Sequence, residues 1–381
     1  MSLFRRIATP VLGAAGIVFA VPFAAVAADD EHSGHNMDHQ TDHSMDHSGH
    51  DTGSGSHIHH QHMAGGWMFE YKFMRMTMDG LLDGTDSVNT RDISGATMGM
   101  PPTNNMMTPY MMSPTSMDMD MHMLMAMYGI SDKLTLMGMV NYLSNDMDMA
   151  MHMYTPTNVY AGDMTGSMDT SGVGDARIDG MFTLSKNLMV SIGLSIPIGG
   201  IDEKVTMKMT GTNILNGMPM AVTNGPMQAP YSMQLGSGTY DLIPSVTYQE
   251  TRGDWNWGGQ GTYTYRIGEN DNDYTLGNRI EVTGWAKRRV NNTVVLTGRL
   301  NWNKWGNVDG ADPDLNPMMA PTADPDAQGG SRLDALVGIN GMFAGGHMLG
   351  LEIGVPVKQD LDGPQMETDM LVTFAYQYMM M

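Results

Sequence analysis

The 381-residue chain contains no cysteine, which excludes a disulfide framework, a thiolate zinc site, an iron–sulfur cluster and a cysteine nucleophile. Basic residues are scarce, 20 Lys and Arg against 41 Asp and Glu, for a formal net charge of −21. Binding nucleic acid needs clustered Lys and Arg to displace counterions from phosphates, so no nucleic-acid partner is expected and cations are the favoured guests. Hydrophobic residues make up only 41%, little for a chain whose length would suggest two or three soluble cores. Beyond residues 7–24, no stretch reaches the roughly 18 to 20 apolar residues a membrane-spanning helix requires. These shortages favour one extended all-β domain.

Methionine is abundant instead, 45 residues in all. It serves either as a generic apolar filler or, through its thioether, as a soft metal ligand.

Residues 1–27 read as a signal peptide. Arg5 and Arg6 precede an apolar run, and Ala25-Val26-Ala27 forms a small-x-small cleavage site before Ala28. Residues 28–64 form a low-complexity His/Met-rich segment that has almost nothing to bury and is expected to be disordered. Ten of the thirteen histidines lie there: His32, His35, His39, His43, His47, His50, His57, His59, His60 and His62. An imperfect repeat places Met37-Asp38-His39 and Met45-Asp46-His47 in equivalent positions. Imidazoles suit Cu(II), Zn or Ni and thioethers suit Cu(I), so this segment is a candidate metal collector.

Residues 65–381 alternate apolar and polar side chains in twelve stretches, beginning with Trp67, Phe69, Tyr71 and Phe73 opposite Glu70 and Lys72. The others fall at 117–128, 134–143, 174–184, 188–198, 239–249, 255–266, 278–288, 293–304, 332–343, 347–357 and 368–380. Their connections alternate long and short: 79–116, 129–133, 144–173, 185–187, 199–238, 250–254, 267–277, 289–292, 305–331, 344–346 and 358–367. An even strand count, short turns on one side and long loops on the other describe a transmembrane antiparallel β-barrel of about twelve strands in a bacterial outer membrane, its N-terminal segment in the periplasm. Trp255, Trp257, Tyr263 and Tyr265 fit interfacial girdles. Met370, Val372, Phe374, Tyr376 and Tyr378 resemble the C-terminal signal that barrel-assembly machinery reads, although the chain ends in Met379-Met380-Met381 rather than in an aromatic residue.

Five stretches resemble the outer-membrane meta-pathway phenol-degradation transporter family, which is related to hydrocarbon-uptake barrels. They are 128–134 (YGISDKL), 172–175 (GVGD), 193–199 (GLSIPIG), 234–240 (QLGSGTY) and 351–365 (LEIGVPVKQDLDGPQ). The resemblance implies an outer-membrane channel fold and small aromatic or hydrophobic substrates. The Met-rich strands and the His-rich segment depart from it, and are similar in composition to the N-terminal segments of copper-resistance outer-membrane proteins.

On the second stretch, Met117, Met119, Met121, Met123, Met125 and Met127 share one face, opposite Asp118, Asp120 and His122. With the acidic face toward the lumen, these methionines face lipid as plain hydrophobes. Met137 and Met139 share a face with Thr135 and Asn141 and are expected in the lumen, as are Met147, Met149, Met151 and Met153 where the strand continues. Met121-His122-Met123 and Met151-His152-Met153 flank one hairpin and are candidate soft sites for copper or silver, either Cu(I), Cu(II) or Ag(I). Arg177, Asp179, Asp241, Arg279, Glu281, Arg299, Asp334 and Glu352 fall on inward faces and read as an ion-pair network. No catalytic constellation emerges, no cofactor is required, and no enzyme is expected. The leading expectation is an outer-membrane channel that binds or passes transition-metal cations, copper foremost. The alternatives are a channel for small aromatic or hydrophobic compounds and a structural or metal-storing barrel with a closed lumen.

Overall fold

A computed structural model describes residues 63–99, 102–105 and 107–380. The signal peptide and the candidate ligands from His32 to His62 lie outside the described residues. Fourteen strands build the barrel and its extension. They are β1 (Trp67–Gly84), β2 (Ser113–Ser131), β3 (Leu134–Tyr154), β4 (Tyr160–Val173), β5 (Ala176–Ser185), β6 (Leu188–Ile196), β7 (Lys204–Thr212) and β8 (Pro219–Gln228). The rest are β9 (Tyr240–Arg252), β10 (Trp255–Ile267), β11 (Arg279–Arg289), β12 (Val294–Trp305), β13 (Gly330–Phe343) and β14 (His347–Met380). Among the described residues no helix is long and apolar enough to cross a membrane.

Eleven of these strands close a ring in which every neighbour pair is antiparallel: β1, β2, β3, β5, β6 and β9 to β14, with β14 returning to β1. Directions alternate around such a ring, so it closes only with an even number of runs. The 34-residue β14 supplies the extra one. Its first leg pairs with β13 up to Leu361, and its second leg, from Met366 to Met380, pairs with β1. Between the legs the chain doubles back at Gly363, whose φ is 85°, and Gln359 brackets the turn by hydrogen bonds to both backbone groups of Thr368. The wall therefore carries the twelve runs expected from periodicity. Closure leaves no lipid-exposed edge in which backbone groups would go unpaired.

The outward face bears exposed Leu136, Val140, Ile178, Phe182, Ile192, Leu194, Leu242, Val246, Ile353 and Val355, with Trp255, Trp257, Tyr263 and Tyr265 at the two ends of β10. An apolar belt of this kind, flanked by aromatics, is the surface a barrel presents to lipid. Above the belt β3 continues to Tyr154, and there it pairs with β4 rather than β5. β4 in turn pairs with β7, and β7 with β8. The expected loops at 144–173 and 199–238 are therefore largely strands that extend the wall into water. The alternation Val205, Met207, Met209, all buried, marks β7 in the sequence once Met is read as apolar. At the other end the turns are tight: Gly345 and Gly346 both take positive φ, and a Cβ on Gly346 would lie 2.3 Å from the Met379 carbonyl oxygen.

Candidate functional site

The lumen has two chemically distinct walls. In β2, β3, β5 and β6 the buried large apolar side chains are all methionine apart from Leu143. On β2 the inward face is Met117, Met119, Met121, Met123, Met125 and Met127, six thioethers spread over ten residues of rise, roughly 33 Å. This corrects the expected orientation of that strand: Met123, Met125 and Met127 are buried and Leu124 is exposed. The reason is register. Met125 stands opposite Glu70 and Met123 opposite Lys72, and Glu70 and Lys72 form a buried ion pair at 3.0 Å, which belongs inside. Asp118 and Asp120 are acidic and outward because they sit above the belt, where Arg75 pairs with Asp120 in solvent.

Strand pairing turns these methionines into rows. At the short-turn end Met379, Met68, Met127 and Met137 are consecutive cross-strand neighbours. At the long-loop end Met78, Met117, Met147 and Met168 are the same. Around the lower row a cluster forms from Met68, Met125, Met127, Met137, Met181 and Met189, with Met139 and Met379 packed against it, and its apolar members are all methionine. Around the upper row lies a larger cluster that includes Met149, Met151, Met153, Met164, Met207, Met209 and Met233. Met68, Met125, Met127, Met181 and Met189 were not singled out from the sequence as ligands. The available signal was parity with Glu70, Asp179 and Ser191, polar residues that mark the inward face.

The opposite wall is ionic. Arg299 and Glu352 meet at 2.5 Å with both side chains buried, Arg332 meets Asp334 at 2.9 Å, Arg266 pairs with Asp241, and Arg279 lies 3.7 Å from Glu281. A further pair, Arg177 with Asp179 at 2.5 Å, stands on β5 among the methionines. This is the ion-pair network expected of the inward charges. Each charge in these pairs faces an opposite one, which is what keeps the buried members tolerable away from bulk water.

The three histidines of the barrel do not join the methionines. Adjacent residues of a strand point to opposite faces, so His122 faces outward between Met121 and Met123. Its Nδ1 lies 2.8 Å from the Tyr71 hydroxyl and its ring packs on Phe73. His347 stacks on Tyr376 and Tyr378. His152 is buried on the face away from Met151 and Met153, with Nδ1 2.6 Å from Asp163 and Nε2 3.0 Å from the Thr90 hydroxyl. Neither Met-His-Met triplet therefore presents its three side chains to one point. Among the described residues no group of three or more His, Asp or Glu is placed to hold a metal, and any metal in the lumen would rely on thioethers.

Asp163 ties the aqueous extension together. Burial alone would raise its pKa, but hydrogen bonds from His152, Tyr160 and Arg91 outweigh that and hold it at about 2. Because the folded value lies below the ordinary 3.8, the stabilisation is fully present above that ordinary value and is lost as pH falls through the folded one. Hydrogen exchange of residues 150–165 is expected to be flat from neutral pH to about pH 5, intrinsic rates allowed for, and to accelerate as pH approaches 2. Asp163→Asn should be fast throughout; an Asp163→Asn profile matching wild type would refute the coupling.

Solved structures share this architecture. An outer membrane channel from Pseudomonas putida F1 matches with a TM-score of 0.50 at 13% sequence identity, over 83% of this chain and 96% of that one. The CymD monoaromatic hydrocarbon channel matches with a TM-score of 0.43 at 9% identity, over 83% and 89%. The Ralstonia pickettii toluene transporter TbuX gives 0.42 at 9%, over 83% and 90%. At these identities the first match establishes the barrel fold, and the other two add no argument to it. No protein-family model matches the chain, and no curated protein matches its sequence.

Proposed function

We propose that the chain is an outer-membrane channel through which small hydrophobic or aromatic molecules pass along the methionine wall of the lumen. The observation that carries this reading is the unbroken run of inward thioethers on β2, which links the methionine cluster of the aqueous extension to the one at the short-turn end. An apolar solute leaving water needs a continuous apolar surface, and the ionic wall opposite offers it none. Methionine is unbranched and adaptable, so a packed methionine stripe re-forms around guests of different shape at little cost. The five stretches similar to the phenol-degradation transporter family point to the same substrate class. Both ends of the barrel lie at the short-turn side, which supports a periplasmic His/Met-rich segment.

Uptake of a hydrophobic aromatic fluorophore by intact cells tests the reading. Cells carrying the wild-type chain should take it up several-fold faster than cells without it, and Met123→Glu should abolish the gain while the barrel still inserts. Equal rates with and without the inserted chain would overturn it.

One observation favours a second reading, in which the cargo is a transition-metal cation, copper foremost. Among the exposed large hydrophobics of the wall strands only Met370 and Met380 are methionine. A generic filler would populate both faces, whereas a thioether kept for its sulfur belongs inside. On this reading the ligands from His32 to His62 collect the ion, Met121, Met123, Met137, Met139, Met149, Met151 and Met153 carry it, and His122 and His152 play no part in the lumen.

A further inference from the structure

The lower cluster differs from an ordinary core in its composition. Six buried residues and two partly buried ones, drawn from β1, β2, β3, β5, β6 and the second leg of β14, are all methionine. Leucine and isoleucine abound on the outward faces of the same strands, as Leu124, Leu136, Ile178 and Ile192 show. Apolar burial alone does not require this segregation, since leucine fills a core with better-defined rotamers and methionine specifies packing less well. What methionine adds is a polarisable sulfur at the end of a flexible stem. Thioether sulfur is a poor ligand for hard cations and a good one for soft monovalent ones.

We propose that Met68, Met125, Met127, Met137, Met181 and Met189 form a binding site for one soft monovalent cation, Cu(I) or Ag(I), held by thioether sulfur alone. Four methionines of the cluster, Met379, Met68, Met127 and Met137, are cross-strand neighbours in one row, so the stems of adjacent members start about 5 Å apart and neighbouring sulfurs lie within reach of one ion. Beyond the row Met137 stands opposite Asp179, and Met125 stands opposite Glu70. Two carboxylates therefore flank the thioethers, each already paired with a cation of the wall, Arg177 and Lys72. They leave the site without net charge, which suits a weakly hydrated monocation and gives a divalent ion nothing to offset its dehydration. The site deepens the second reading above but stands apart from solute uptake: an Ag(I) site survives a failed uptake assay, and uptake survives a failed Ag(I) titration.

The test uses the full chain folded in detergent. Competition titration with Ag(I) is compared between wild type, a lower-row variant (Met68→Leu, Met127→Leu, Met137→Leu) and an upper-row control (Met117→Leu, Met147→Leu, Met168→Leu). The lower-row variant should lose one equivalent of tightly held Ag(I) that the control retains, with Zn(II) binding equal in all three. Peroxide oxidation of the wild-type protein, read by peptide mass spectrometry, needs no variant: Ag(I) should slow sulfoxide formation several-fold at Met68, Met127 and Met137 and leave outward-facing Met370 unchanged. Equal stoichiometry in the lower-row variant and wild type, or oxidation rates at the three methionines that ignore Ag(I), would overturn the proposal.

Discussion

Arg299→Met should destabilise the barrel by about 3–5 kcal/mol, the cost of leaving a buried carboxylate without its counter-charge. Arg299 and Glu352 sit on the inward faces of β12 and β14, 2.5 Å apart, with relative side-chain exposures of 5% and 1%. Glu352 then has no cation within reach of equal quality, because Arg332 is already engaged with Asp334. The double variant Arg299→Met with Glu352→Leu should recover most of the loss, since an apolar pair of similar volume carries no desolvation penalty. Reversible urea unfolding from lipid vesicles measures both. A double variant as unstable as the single one would mean that the pair does more than neutralise itself, for example by holding β12 against β14.

Ile192→Arg should cost about 2–4 kcal/mol, the range for a cation forced onto the lipid face near the bilayer midplane. Ile192 is 57% exposed and lies opposite Gly180 on one side and Pro244 on the other. Tyr240 and Tyr248 mark the ends of the adjacent outward stripe, with position 244 midway between them. Its chain neighbour Ser191 is buried and faces Ser245 across the lumen side at 2.6 Å. The same unfolding measurement checks the cost, and a short-chain lipid that thins the bilayer should reduce it by bringing the guanidinium nearer water. A negligible cost in bilayers of ordinary thickness would place β6 outside the lipid belt and undo the assignment of faces.

That assignment is where sequence and structure part company. The twelve runs were legible because each is an alternation of about ten residues, a local signal that survives whatever the rest of the chain does. The faces of β6 and β9 were legible too: Leu188 to Ile196 and Tyr240 to Tyr248 set large apolar residues against Ser, Thr and Asp, and inside a barrel the polar set faces in. The same rule misled on β2. Asp118, Asp120 and His122 are polar and outward, and the methionines opposite them are apolar and inward. The upper half of the strand stands in water on its outer side, so there a polar outer face is the stable one. Alternation proves only that two faces differ.

The candidate site was legible in kind rather than in membership. Methionine's excess, its pairing with acidic residues and the Met-His-Met triplets all pointed to the hairpin of β2 and β3. They could not show that period-two geometry sends His122 and His152 away from their flanking thioethers, or that Met68, Met181 and Met189 join Met127 and Met137 from strands far apart in the chain. Residues 144–173 and 199–238 read as loops because Gly, Asp and Thr interrupt them. They became β4, β7 and β8 because β3 projects above the membrane and its open edge must be paired. Composition and short-range periodicity thus settled the barrel, its run count and its long and short connections, all of which depend on neighbours one to ten residues apart. Which side of a Met-rich strand meets lipid, and which thioethers share a row, depend on register between strands joined by loops of tens of residues. Only closure of the ring decides them.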